Sequence, residues 1–178
     1  MIAIGSDHGG FELKKAIMAH LEKRGLEYKD YGTYSDASCD YPVYGKAVAE
    51  AVAAGECERG ILICGTGIGI SITANKVPGV RAALCSDCFS AQATREHNDA
   101  NVLAMGARVL GEGLALKIVD TFLDTQFSND ERHIRRISMI EGDGGLKNGV
   151  ATLKTARQFL NMLSACWSHD LLVLTQEG

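Results

Sequence analysis

Proline is nearly missing from this chain: Pro42 and Pro78 are the only two in 178 residues. That scarcity argues against a proline-rich spacer or an extended linker between domains. No apolar run approaches the roughly 18 residues that a membrane-spanning helix needs. A basic tract is also absent. With 18 basic against 22 acidic side chains the net charge is −4, a balance that disfavours nonspecific binding to nucleic acid or to an anionic membrane. The first residues, MIAIGSDHGG, carry no basic stretch and meet an acid at Asp7, so no signal peptide is expected there.

What remains is ordinary globular material, 46% hydrophobic and 22% charged, which argues against intrinsic disorder. The length suits one compact domain with an appendage. Cysteine is not scarce: Cys39, Cys57, Cys64, Cys85, Cys88 and Cys166 could pair numerically. In a core-sized chain without an export signal they read as reduced thiols, and a cytoplasmic location is expected.

Short apolar runs alternate with helical stretches. Residues 2–5 (IAIG) read as a buried strand and are followed by SDHGG. A helix is then expected from Phe11 to Lys23, with Leu13, Ile17 and Leu21 on one face and Gly25 after its end. A strand near 26–31 leads into the turn-rich segment GTYSDASCDYP and an Ala-rich helix over 44–53. Residues 60–64 (GILIC) are the most strand-like run; GTGIG and a helix from 70 follow. Further strands are expected at 80–84 and 101–105, with helices over 89–97, 111–124 and 130–141. Strand, glycine-bearing turn and helix, repeated five times, predict an α/β fold whose parallel sheet is covered on both faces. Ligands in such sheets bind at the carboxyl ends of the strands, which aligns SDHGG, CGTGIG and the segment after the fourth strand along one edge. Beyond a domain over 1–145, Leu146, Val150, Leu153, Leu160 and Leu163 approximate a helical stripe, so 146–178 are expected to form a helical extension that packs on the body or on a partner chain.

The strongest local feature is Cys64-Gly65-Thr66-Gly67-Ile68-Gly69, closing a buried strand and opening a helix. Alternating glycines let backbone N–H groups approach a ligand and form an anion-binding nest, reinforced by the helix N-terminus. A thiol placed there favours its anion; a buried structural cysteine beside a tight turn is the equal alternative. Ile70 stands where a dinucleotide fingerprint needs glycine, and no Lys-Ser/Thr pair closes the loop as in a phosphate-loop nucleotidase. A nicotinamide or ATP site is therefore disfavoured.

Asp7-His8 follow the first strand, where they can hold hydroxyl and phosphate groups or act as a helix cap beside a solvated histidine. His97-Asn98 end the helix after the fourth strand; histidine titrates near neutrality and suits proton transfer, though a helix-terminal histidine is often incidental. Arg108 follows the fifth strand. Arg132 and Arg136 share one helix face, where two guanidiniums can grip a phosphate or stay solvated. Cys85-Ser86-Asp87-Cys88 spells CxxC without the further ligands of a zinc site, so no metal is expected there.

In combination, SDHGGFELK, DYPVY, GILICGTGIGISITANKVPGVRAALC, SAQATREHNDANVLAMGARVLG and ERHIRRI resemble the ribose-5-phosphate isomerases of type B, a family that includes galactose- and allose-6-phosphate isomerases. The resemblance covers roughly residues 1–143. It implies a Rossmann-like three-layer α/β/α sandwich with a five-stranded parallel sheet, no metal or organic cofactor, and a homodimer or tetramer with active sites between subunits. It also implies reversible conversion of D-ribose 5-phosphate to D-ribulose 5-phosphate. By motif, Cys64 would be the catalytic base and Thr66 an auxiliary group. His97 would assist opening of the furanose ring, with Asp7 on the sugar. His8, Arg108, Arg132 and Arg136 would bind phosphate, Tyr41 and Asn98 would line the pocket, and the amides around Gly65, Gly67 and Gly69 would hold the enediolate oxygen. Relatives without the cysteine carry a glutamate in the glycine loop, at the position of Ile70; some have cysteine at Ser6. A six-carbon sugar phosphate as substrate, or a non-catalytic phosphosugar-binding subunit, are the alternatives.

Overall fold

A computed structural model describes residues 1–142; the stripe expected over 146–178 lies outside the described residues. In chain order the elements are β1 (Ile2–Ser6), a 3₁₀ turn (His8–Gly10), α1 (Phe11–Lys23), β2 (Tyr28–Asp30), α2 (Tyr41–Ala53) and β3 (Arg59–Cys64). They continue with α3 (Ile68–Ala74), β4 (Ala82–Leu84), α4 (Cys88–Asn98), β5 (Val102–Gly106), α5 (Glu112–Asp124) and α6 (Glu131–Glu141). The five strands form one parallel sheet in the order β2-β1-β3-β5-β4, the α/β sandwich that the sequence pattern predicts.

The strand sequences explain why the sheet is central. Every residue of β1 and β5 is buried, as are all but the first of β3, which a sheet covered on both faces requires. Alternation then sorts the side chains. Ile4, Ile61, Ile63, Leu103 and Met105 pack with Ile17 and Leu21 of α1 and Ile118 and Phe122 of α5. Ala3, Leu62, Cys64 and Ala104 pack on the opposite face with Val48 and Val52 of α2 and Ile70 and Ala74 of α3. From β1 the chain passes to β2 on one side, while β3 lies on the other. The carboxyl ends of β1 and β3 therefore flank the crevice where such sheets bind ligands.

Two helices begin earlier than the sequence pattern predicts. Helix α2 starts at Tyr41, because Pro42 sits in the first turn, where its missing N–H has no intrahelical partner to lose. Helix α3 starts at Ile68, one residue after Gly67, whose φ of 77° turns the chain sharply. A Cβ at Gly67 would come within 2.5 Å of Leu84 Cδ1 and 2.7 Å of the Met105 carbonyl carbon, so glycine is required there by space as well as by conformation.

Two buried cations escape the sequence pattern. Lys14, on α1, donates to both Asp30 carboxylate oxygens at 2.7 Å and to the Thr33 carbonyl at 2.6 Å. Arg95, on α4, donates to Asp99 Oδ1 at 2.7 Å and to the Ala100 carbonyl at 2.6 Å. Each is almost fully enclosed, and such burial is tolerable only with charge pairing of this kind. Lys14 anchors the loop after β2, and Arg95 anchors the end of α4.

Truncating the fully buried Leu103 to alanine should cost about 2–5 kcal/mol of stability through lost burial and a cavity in the central strand. Met139→Ala, at a side chain 75% exposed, should change stability by less than about 0.5 kcal/mol. Urea midpoints of the two variants check both.

Candidate active site

The crevice is built from backbone that has shed its side chains. A Cβ on Gly9 would lie 3.2 Å from the Gly65 amide nitrogen and 3.3 Å from Asp7 Oδ1, so the turns after β1 and β3 touch through glycine. A Cβ on Gly106 would lie 2.6 Å from the Thr66 carbonyl, which joins the end of β5 to the same turn. The Arg108 N–H donates to the Gly65 carbonyl at 3.0 Å, and the Arg108 side chain lies against the open face of Gly65. From the start of α2, the Tyr41 phenol lies against Gly69, where an added Cβ would approach its ring and oxygen to 2.6–2.9 Å.

Cys64 ends β3 and is 4% exposed. Its Sγ accepts the Gly67 N–H at 3.0 Å. The Thr66 hydroxyl, exposed, accepts the Ile68 N–H at 3.3 Å. Asp7 is buried and caps the 3₁₀ turn, Oδ1 accepting the Gly10 N–H at 3.0 Å. His8 is tied to the loop before α2, its Nδ1 lying 3.2 Å from the Cys39 N–H and 3.9 Å from the Cys39 sulfur. The hydroxyl of the neighbouring Ser6 is buried with no hydrogen-bond partner among the described residues.

This edge thus gathers Asp7, His8, Tyr41, Cys64, Gly65, Thr66, Gly67, Gly69 and Arg108. It does not gather the others. Helix α4 runs back along the sheet, and its last residue, Asn98, uses its carbonyl to accept Arg81 Nε at 2.9 Å just before β4 begins. His97 and Asn98 therefore sit at the amino ends of the strands. The five residues of β5, at about 3.3 Å each, put the two edges roughly 15 Å apart. Arg132 and Arg136 lie on α6, which starts at that far edge: the Ser128 N–H donates to the Glu96 carbonyl at 3.1 Å, and the His133 ring lies 4.6 Å from that of His97. Both arginines are exposed and lie i,i+4 on the helix, as expected.

Sequence reasoning passed over Lys14, Cys39, Arg95 and the enclosure of His133. The i,i+4 spacing of Arg95 and Asp99 was the one legible signal among them. Cys85 and Cys88 are free thiols; burial, then Asp87, pushes the Cys85 thiol up to about 11. Among the described residues no three His, Cys, Asp or Glu side chains gather as a metal would need, and no helix is long and apolar enough to cross a membrane.

The family described as Ribose/Galactose Isomerase matches residues 2–140. The chain belongs to that family. Ribose-5-phosphate isomerase B of Escherichia coli strain K12 is 55% identical over 139 residues, 78% of this chain and 93% of that protein. A galactose-6-phosphate isomerase subunit of Clostridium acetobutylicum is 42% identical over 149 residues, 82% of this chain and 86% of that one. Among solved structures, ribose-5-phosphate isomerase B of Clostridium thermocellum superposes with a TM-score of 0.77 at 58% identity, covering 79% of this chain and 94% of that one. The Mycoplasma genitalium enzyme, with bound ribulose 5-phosphate, gives 0.75 at 44% identity over 79% and 93%. Like these family members, the chain is an isomerase with a three-layer α/β/α fold.

His133 is held below the ordinary histidine value by burial first, then by Arg132 and His97, with Asp130 opposing and Arg136 adding a smaller push. The unfolded chain takes up that proton near pH 6.5, before the folded one does. Stability should therefore be full above about pH 6.5 and fall as the pH drops below it. His133→Gln should flatten part of that slope in urea titrations at pH 7.5 and 5.5.

Proposed function

We propose that the chain interconverts D-ribose 5-phosphate and D-ribulose 5-phosphate through an enediolate, with Cys64 as general base. The carrying observation is the Cys64 sulfur at the switch-point crevice, receiving an N–H from a glycine turn. The identity of residue 70 supports the same choice of base. It is an isoleucine, fully buried against α2, so this chain offers no carboxylate there.

Isomerisation moves a proton from C2 to C1 while the carbonyl passes the other way. The C2 proton becomes acidic only as negative charge on O1 is stabilised. The glycine turn does this with preorganised amides; one such donor typically lowers the barrier by about 3 kcal/mol. Gly67 N–H serves the sulfur and Ile68 N–H serves Thr66, so we assign the oxygen to the amides of Gly65, Thr66 and Gly69. Asp7 and Tyr41 hold sugar hydroxyls. His8 and Arg108 meet the phosphate, whose remote binding sets C2 against the sulfur.

His97 donates a proton to the ring oxygen in the preceding step, and Asn98, Arg132 and Arg136 complete the pocket. Because these four stand at the far edge of their own sheet, the site is assembled from two copies: Cys64 of one subunit works with the partner's His97. The catalytic domain is 1–145, with 146–178 an extension of no assigned role, and the location is cytoplasmic.

Cys64→Ala should lower turnover at least about a hundredfold while phosphosugar binding stays within a few-fold, measured by an ulose assay and by calorimetry. Arg136→Ala should raise KM by about tenfold or more with kcat nearly kept, since it removes a charged hydrogen bond to phosphate. Mixing inactive Cys64→Ala and His97→Asn chains after unfolding and refolding should recover about a quarter of wild-type activity, because half the dimers then hold one intact site. No recovery would place the whole site in one chain. Relative kcat/KM on ribose 5-phosphate and on allose or galactose 6-phosphate decides the sugar.

A further inference from the structure

His133 lies outside the roles above, yet it is the one residue of α6 that is buried. Its Nδ1 lies 2.7 Å from Ser128 Oγ. That oxygen also accepts the Asp130 N–H at 3.2 Å, so Ser128 ties the ring to the turn that opens α6. The Ser128 N–H is in turn bonded to the Glu96 carbonyl, beside His97 in sequence. The ring faces His97, centroids 4.6 Å apart and planes tilted by 42°. His97 itself is half exposed, and its only charged neighbour within 4.0 Å is Glu96 among the described residues. An exposed imidazole with one long ionic contact samples many rotamers; a ring packed against it removes most of them.

We propose that His133, fixed by Ser128, is a positioning residue that holds the His97 imidazole in the orientation needed to open the sugar ring. The inference rests on the reading of His97 as the ring-opening acid. It assigns to the start of α6 a task besides phosphate binding: Arg132 and Arg136 grip the phosphate, and the buried His133 between them orders the acid. Burial first, then Arg132 and His97, disfavour the charged form of His133, with the Asp130 carboxylate opposing.

The reaction itself offers the separating test. D-ribulose 5-phosphate cannot close to a furanose, because its O5 carries the phosphate. Incorporation of solvent deuterium at its C1 therefore needs Cys64 but no ring opening, whereas turnover of D-ribose 5-phosphate needs both. In His133→Ala, turnover of ribose 5-phosphate should fall about tenfold while C1 exchange into ribulose 5-phosphate stays within twofold of wild type. His133→Phe, which restores a ring, should recover most of the loss. Retained exchange also certifies a folded site; should His133→Ala fail to fold, Ser128→Ala must show the same split more weakly. Equal loss of both reactions, or no loss of either, overturns the proposal provided His97→Asn shows the split. If His97→Asn turns over ribose 5-phosphate normally, it is the reading of His97 that fails.

Discussion

The N–H of Gly67 reaching the sulfur of Cys64 at 3.0 Å is available only because the chain bends at φ 77° directly after Thr66. Only glycine can make that bend here, since a Cβ would collide with Leu84 and the Met105 carbonyl carbon. Around it, Gly9 meets Gly65 and Gly106 meets the Thr66 carbonyl, so the turns after three adjacent strands close on one another through bare backbone. A methyl group on Gly67 or Gly106 would collide with its neighbours, and one on Gly9 would crowd the Gly65 amide. The crevice is thus specified by the absence of side chains, and the anion-binding amides come with it.

The two edges of the sheet divide the chemistry. One carries the Cys64 sulfur, the enclosed Asp7 carboxylate, His8 and Arg108. The other carries the exposed His97 and a helix that presents Arg132, Arg135 and Arg136. In a chain with net charge −4, basic side chains thus stand at both edges of the sheet. In the two-copy site we propose, complementarity to the phosphate comes from both edges at once, which gives association a direct bearing on function.

How much of this was legible in the sequence follows from the physics of each element. The strands were, since IAIGS, RGILIC and VLAMG are apolar throughout and only a doubly covered sheet accommodates them. The start of α2 was not, because Pro42 reads equally as the close of a loop or as a first-turn residue. Lys14 was not, because its partners Asp30 and Thr33 are distant in sequence; Arg95 was legible only through its i,i+4 spacing to Asp99, since the Thr125 carbonyl that also meets it is distant. The edge on which His97 lies was legible yet easily missed. A helix of 11 residues extends about 16 Å, so one that leaves the carboxyl edge must end at the opposite one. Motif resemblance gathers residues without regard to that arithmetic; helix length restores it.

The cysteines show how location rather than residue type sets the surroundings of a thiol. Cys85 is as enclosed as Cys64, follows a strand of the same sheet, and stands near a carboxylate. Burial and Asp87 hold its thiol at about 11, where it is inert at neutral pH. Cys64 differs in one respect: the strand it ends runs into a left-handed glycine, which aims an amide at its sulfur. The same turn opens α3. In the mechanism we propose, one bend therefore serves the base and the oxyanion together, and a change that relaxes it removes both, because the two depend on a single backbone conformation rather than on separable side chains.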